Sequence, residues 1–186
     1  MDFGSNMKST IKIILSSVVL FAFFSFANPQ KRITKLIAKI WKDKEVSMQR
    51  VNLEEPIDAV SKLNTIYSNG QLIGYACYTK AKGCRIGGCS APNAQVDDSY
   101  ESFDYIVIYD TDMTILQVDI ANYGGEYGYE ICRSKWLKQF KGKTKGFVIN
   151  SNIDGISGAT VSASHLIDDI NKLGGNMLIL KEKKVI

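Results

Sequence analysis

The sequence contains only one histidine, His165, among its 186 residues. It also lacks a glycine-rich phosphate-binding loop of the Walker type and any cluster of residues with metal-ligand spacing. These absences argue against a histidine-based catalytic dyad and against phosphoryl transfer carried out by the chain itself. The net charge is +4, and the basic residues form no dense patch interleaved with aromatic side chains. Binding to nucleic acid is therefore not expected.

The N-terminal part of the chain has the features of an export signal. Lys8 and Lys12 precede residues 13–27, an uncharged and almost wholly apolar run that ends on Ser25-Phe26-Ala27. The run is short for a membrane span, which needs about 20 residues, and fits the apolar core of a secretory signal. We predict that residues 1–27 are a signal peptide or a retained membrane anchor. The remainder is then exported to the extracytoplasmic face of the cell membrane or the periplasm, either anchored or released.

Residues 28–64 are predicted to form a helical linker region. An amphipathic helix is expected over 30–44, because its apolar residues recur at helical spacing among lysines and arginines. Such a helix either lies on an anionic membrane surface or packs on the following domain. Pro56 is expected to open a second short helix through Leu63, which ends before the turn Ser68-Asn69-Gly70.

Residues 65–186 are predicted to form one α+β domain with a mainly antiparallel sheet and a few helices, because strand patterns dominate and do not alternate with helices. We expect strands, a hairpin turn, a short helix capped by Ser134 and a helix that begins near Thr160 and stops at Gly174-Gly175. The strands are expected at 71–78, 105–109, 114–120, 147–149 and 177–180, with the hairpin turn at 110–113 and the short helix at 135–140.

The most informative stretch is Asp154-Gly155-Ile156-Ser157-Gly158-Ala159-Thr160. Small residues lead to a hydroxyl, and an apolar helical pattern starts directly behind it. A helix start offers unpaired backbone N–H groups and the positive end of the helix dipole, which favour a phosphate. The plainer alternative is that Ser157 is an ordinary helix cap and Asp154 only favours the dipole.

This block resembles the flavin-attachment motif of the FMN-binding domain family, which includes small periplasmic subunits of sodium-pumping NADH:quinone oxidoreductase and of the Rnf complex. The resemblance extends over residues 65–186 and implies a single FMN-binding domain. It further implies that Thr160 carries FMN covalently through a phosphoester, and that a separate Mg²⁺-dependent flavin transferase attaches FMN from FAD. By the same resemblance, the remaining cofactor-binding candidates in the motif are Asp154, Ser157, Gly158 and Ala159. Asp154 would serve recognition or metal positioning in the transferase.

A second part of the expected site is the loop Glu126-Tyr127-Gly128, which stands where many family members have Glu-Thr-Pro-Gly. The loop keeps a Glu and a Gly but lacks the Thr-Pro, so its contact with the isoalloxazine ring is expected to differ in detail. Tyr123, Tyr127 and Tyr129 are either stacking partners for the flavin or half-buried loop aromatics.

The four cysteines, Cys77, Cys84, Cys89 and Cys132, are an even set in a chain predicted to be exported, which indicates disulfides. Three pairings are possible, and the spacing does not choose among them. The alternative is a four-thiolate metal or iron–sulfur site, although the spacing fits no common zinc or ferredoxin pattern. Because the first cysteine is Cys77, a lipid-anchored N-terminus is excluded.

Together these features predict an electron-transfer carrier or subunit of a membrane redox chain, associated with the membrane and with a partner redox protein or complex. An electron-transfer role is favoured over a stand-alone enzyme, because the chain offers no acid–base pair and no second catalytic domain. The alternatives are a flavin-dependent reductase of a small acceptor and an envelope protein without flavin.

Overall fold

The structure, a computed structural model, describes residues 29–53, 55–86 and 100–186. The predicted signal or anchor segment, 1–27, lies outside these residues. The elements, in chain order, are α1 (Pro29–Ile40), β1 (Ser47–Val51), β2 (Lys62–Ser68), β3 (Gln71–Arg85), β4 (Tyr100–Tyr109), β5 (Ile115–Tyr123), a 3-10 helix (Tyr129–Cys132), α2 (Ser134–Leu137), a second 3-10 helix (Lys138–Phe140) and α3 (Thr160–Glu182).

The five strands form one antiparallel sheet in which each strand pairs with its neighbours in sequence, in the order β1-β2-β3-β4-β5. Helices pack on this sheet, which confirms the predicted α+β class with a mainly antiparallel sheet. The arrangement follows from short connections, because antiparallel neighbours need only tight turns between them.

The turns of the sheet have the chemistry that the sequence predicts. Asn69 and Gly70 join β2 to β3 with φ of 50° and 76°, the positive values that a two-residue hairpin turn requires. Between β4 and β5, Oδ1 of Asp110 accepts hydrogen bonds from the backbone N–H groups of Asp112 and Thr114, both at 2.8 Å. The predicted hairpin at 110–113 is therefore confirmed.

The sheet is covered on both faces, and β4 contributes apolar residues to each. Tyr105, Val107 and Tyr109 belong to the main core, which contains the buried side of α3. The intervening Ile106 and Ile108 belong to a second core cluster beneath α1. This alternation places α1 and α3 on opposite sides of the sheet, because successive strand residues point to opposite faces.

Helix α1 confirms the predicted amphipathic helix and resolves its role within the domain. Ile33 and Ile37 are each only 1% exposed, and they pack on the sheet. The Arg32 guanidinium also pairs with Asp119 of β5 at 2.5 Å. The apolar face of this helix therefore packs on the domain. In addition, β1 and the start of β2 lie within 28–64, the range predicted to be a helical linker, and both strands belong to the sheet.

The predicted helix from Pro56 to Leu63 is wrong. The chain makes a tight turn closed by an isolated bridge between Ile57 and Val60, and β2 begins directly afterwards. The side chain of Asp58 accepts a hydrogen bond of 2.9 Å from the N–H of Ala59, whose φ is +60°. A short Asp side chain that bonds to the local backbone stabilises a turn in competition with a helix.

The predicted strand at 177–180 is also wrong, because α3 continues for 23 residues to Glu182. Gly174 and Gly175 do not end the helix. Gly174 is buried, and a Cβ there would overlap the backbone carbonyl of Thr144. The glycine therefore allows the helix to pack closely on the 144–145 loop, a requirement that the local pattern does not reveal.

Two smaller expectations need correction. The predicted strand at 147–149 is only an isolated parallel bridge between Ile149 and Ile153. Ser134 is the first residue of α2 rather than its cap, which is Arg133. In the described part of the chain, no helix combines the length and apolar character needed to cross a membrane.

Candidate functional site

The predicted attachment residue begins the longest helix of the domain. Thr160 is exposed and is the first residue of α3, as the sequence predicts. The residue before it, Ala159, occupies the cap position, and its methyl group cannot accept a hydrogen bond from the first turn. Ser157 lies two residues further back, so the alternative that it is the ordinary cap of this helix is wrong. The helix start is thus open to an external anion or acceptor.

The backbone before Thr160 takes a shape that favours glycine. Gly158 has a φ of +84°, in the left-handed region that side chains with a Cβ rarely adopt. A Cβ at this position would lie 3.2 Å from Oε1 and 3.6 Å from Oε2 of Glu130. The carboxylate of Glu130 therefore lies directly against the motif at Gly158, two residues before Thr160. Sequence reasoning missed this residue, because a single glutamate in a four-residue 3-10 helix carries no pattern.

The start of the motif is held by the segment that contains α2. The indole N–H of Trp136 donates a hydrogen bond of 2.8 Å to the backbone carbonyl of Asp154. The N–H of Asp154 in turn donates to Oε1 of Gln139, also at 2.8 Å. Both backbone groups of Asp154 are therefore fixed, while its side chain is exposed. An exposed carboxylate on a fixed backbone is accessible to a partner protein.

The loop at 124–130 packs against the other side of the helix start. Gly128 has a φ of +85°, and a Cβ there would overlap Oγ of Ser162 in the first turn of α3. The Tyr123 hydroxyl donates to the backbone carbonyl of Tyr127, and its oxygen lies 3.1 Å from Oγ of Ser162. The structure thus places Gly128 against the first turn of α3, directly behind the motif, whereas the contacts of Glu126 and of the Tyr127 carbonyl are with Glu101 and Tyr123.

The three tyrosines of this region differ in their surroundings. The ring of Tyr123 stacks on Phe103 with a centroid distance of 5.3 Å, and burial is the main cause that raises the pKa of its hydroxyl. Tyr127 and Tyr129 are 46% and 60% exposed. Tyr123 is therefore part of the scaffold, whereas Tyr127 and Tyr129 present ring surface to the solvent.

Two glutamates, Glu101 at the start of β4 and Glu130 in the first 3-10 helix, each have a side-chain oxygen without a hydrogen-bond donor in the part of the chain that the structure describes. Within the described residues, Oε2 of Glu101 and Oε2 of Glu130 are buried atoms without a hydrogen-bond partner. Oε1 of Glu101 accepts a hydrogen bond of 3.0 Å from the N–H of Glu126, so this residue supports the loop. Buried acceptors are normally paired, and a ligand with hydroxyl or imide N–H donors suits such a site.

His165 lies between α3 and the end of β3. Its Nδ1 lies 3.1 Å from the carbonyl oxygen of Gly83 at the end of β3, and its ring meets Tyr100 edge to face at 5.0 Å. These contacts attach the second turn of α3 to the sheet. The histidine therefore helps to position the helix that begins at Thr160.

The cysteines lie in different environments. Cys77 is a buried free thiol whose Sγ donates to Sδ of Met177 at 3.5 Å, and burial raises its pKa strongly. Cys132 is an exposed free thiol at the end of the first 3-10 helix, and its pKa is raised mainly by partial burial. Cys84 is buried near the end of β3, and Cys89 lies outside the described residues. Disulfide pairing therefore stays a prediction.

Metal binding has no support in the part of the chain that the structure describes, where no three His, Cys, Asp or Glu side chains come together as a group that could hold an ion. The four-thiolate alternative also includes Cys89, which lies outside that part. Comparisons with known proteins add no assignment: no protein-family model matches the chain, and no curated protein is similar to it in sequence.

Proposed function

We propose that this chain is an exported flavoprotein that carries FMN on Thr160 through a phosphoester bond and transfers electrons in a membrane redox chain. The observation that carries the proposal is the exposed Thr160 hydroxyl at the open start of a 23-residue helix, within a stretch that resembles a flavin-attachment motif. The backbone N–H groups and dipole at that position stabilise a phosphate.

The residues around Thr160 suit a molecule of the size and chemistry of FMN. Gly158 keeps the approach to the hydroxyl free of a side chain, and the open helix start favours the phosphate group. Tyr127 and Tyr129 offer exposed rings for the isoalloxazine system. Oε2 of Glu130 is an acceptor in need of a donor. When bound, FMN supplies the one- and two-electron chemistry, and the chain supplies attachment and orientation.

The attachment step is assigned to a separate flavin transferase, because the resemblance implies such an enzyme and the single histidine of the sequence, His165, contacts the Gly83 carbonyl. A bond forms between Oγ of Thr160 and the phosphorus of the FMN half of FAD, while the bond from that phosphorus to AMP breaks. AMP leaves with the electron pair, and the hydroxyl proton passes to a base of the transferase. The exposed carboxylate of Asp154, on its fixed backbone, is the proposed recognition point for this enzyme.

The proposal is tested by expressing the full chain with a flavin transferase and comparing Thr160→Ala with Ser151→Ala, a change at an exposed serine outside the motif. We expect flavin fluorescence on a denaturing gel, and one attached FMN by intact mass, for the wild type and Ser151→Ala only. Fluorescence that survives Thr160→Ala would contradict the assignment, and an unmodified wild type would favour an envelope protein without flavin. Electron exchange with a partner redox protein, compared with turnover of small oxidants, separates a carrier from a reductase.

A further inference from the structure

The side chain of Glu130 combines two properties that are unusual together. Its Oε2 is buried and lacks a hydrogen-bond partner within the described residues, and its carboxylate lies against Gly158 of the motif. Of the three buried side-chain atoms without a partner in this part of the chain, Tyr109 Oη belongs to the main core and Glu101 Oε2 lies at Gly125, whereas Glu130 Oε2 lies beside Gly158 of the motif. Because buried acceptors are normally paired, this unpaired oxygen beside the motif is a candidate partner for a donor group of a ligand.

The position of this carboxylate restricts which part of an attached FMN it contacts. The carboxylate approaches Gly158, two residues before Thr160, so it faces the portion of the ligand close to the point of attachment. That portion comprises the phosphate and the ribityl chain. A carboxylate repels the phosphate anion, whereas each ribityl hydroxyl carries a proton that it can donate to an unpaired carboxylate oxygen.

We propose that Glu130 is a ligand-binding residue of the attachment site, with its buried carboxylate oxygen accepting a hydrogen bond from a ribityl hydroxyl of the FMN on Thr160. This inference rests on the proposed function. Glu130 then has opposite effects on the stability of the protein without FMN and of the protein with FMN attached. Without FMN it is an unsatisfied buried acceptor, and with FMN it holds the cofactor against the helix start and restricts its rotation about the phosphoester.

The test is a cycle of four full-length chains expressed with a flavin transferase: wild type, Glu130→Ala, Thr160→Ala and the double variant. We expect Glu130→Ala to lower Tm by roughly 2–4 °C in the flavin-carrying background. In the Thr160→Ala background the same change should leave Tm unchanged or raise it. The fluorescence anisotropy of the attached flavin should also fall in Glu130→Ala, because the cofactor gains freedom.

Two further variants keep the test decisive. Glu130→Gln retains an acceptor oxygen and should keep most of the anisotropy, whereas Glu182→Ala, an exposed change at the far end of α3, should change neither quantity. Equal Tm shifts for Glu130→Ala in both backgrounds would overturn the proposal and leave a packing role. A stable Glu130→Ala that no longer accepts FMN would overturn it in favour of a role in the transfer reaction. A wild type without flavin shows instead that the proposed function has failed.

Discussion

The indole N–H of Trp136 donates a hydrogen bond of 2.8 Å to the backbone carbonyl of Asp154, the first residue of the motif that leads to Thr160. The two residues are 18 positions apart in sequence, and Trp136 is only 5% exposed. A buried side chain thus determines where an exposed motif begins. The start of the motif is therefore fixed by the domain itself, and under the proposed function a flavin transferase would meet an ordered segment.

The first prediction concerns this bond. Trp136→Phe leaves the Asp154 carbonyl without its donor and should lower the free energy of unfolding by roughly 1–3 kcal/mol. It should also slow flavin attachment, because the start of the motif is no longer fixed. The measurements are urea unfolding and a time course of attachment by in-gel fluorescence. Trp41→Phe is the control, since Trp41 packs in the second core cluster beneath α1 and should affect stability alone. Attachment at the wild-type rate in Trp136→Phe would contradict the positioning role.

A second prediction compares two glycines with the same backbone strain. Gly128 and Gly142 have φ of +85° and +88°, so alanine at either position costs about 1–2 kcal/mol from the left-handed conformation. At Gly142 a Cβ meets nothing within 4 Å, whereas at Gly128 it would overlap Oγ of Ser162. Gly128→Ala should therefore destabilise the fold by a further 1–3 kcal/mol or so in urea unfolding. Equal costs would show that the loop does not pack closely on the helix start.

The third prediction is a pH dependence that originates in α3. Burial raises the pKa of Asp169 above its ordinary value of 3.8, and the hydrogen bond of 2.5 Å from the Tyr105 hydroxyl offsets part of that rise. With a folded pKa above the unfolded one, the contribution of Asp169 to stability is greatest below about pH 4 and is lost as the pH rises through the folded pKa. The amide side chain that Asp169→Asn introduces does not ionise. The free energy of unfolding of this variant, relative to the wild type, should therefore increase as the pH rises from about 4 through the folded pKa of Asp169.

The same measurement has an internal control. Tyr105→Phe removes the donor that lowers the pKa of Asp169, so it should move the loss of stability to higher pH. Unfolding curves at a series of pH values for the wild type and both variants provide the comparison. A constant difference between Asp169→Asn and the wild type across this range would show that Asp169 titrates alike in the folded and unfolded chain.

Much of the sheet is predictable from sequence because its strands carry strong local signals. β3, β4 and β5 are rich in β-branched and aromatic residues, and their turns contain Asn69-Gly70 and Asp110. β1 was missed because its five residues, Ser47–Val51, are mostly exposed at the edge of the sheet and show no regular alternation. The length of α3 was missed for a different reason. Gly174 does not end the helix but allows it to pack closely on the backbone of Thr144, 30 residues earlier, and this contact is not visible in the local sequence.

The candidate site likewise contains features that local sequence predicts and features that depend on contacts between distant residues. The helix start at Thr160 follows from a short local motif, and Gly128, one residue of the predicted loop, packs on the first turn of that helix. The roles of Trp136 and Glu130 depend on contacts across 18 or more residues, which one sequence does not reveal. Satisfied and unsatisfied hydrogen bonds become visible only when the partners are placed in space.

The short distance along the chain between the apolar run and the folded domain has a consequence for accessibility. The run ends at Ala27 and α1 begins at Pro29, so a single residue separates them and the two ends are at most about 7 Å apart. If the run stays in the bilayer, α1 and the sheet beneath it cannot drift from the lipid headgroups. Redox partners would then have to meet the domain at the membrane surface. If the run is removed after Ala27, the mature chain begins one residue before α1, whose apolar face packs on the sheet, so little N-terminal chain is accessible to proteases.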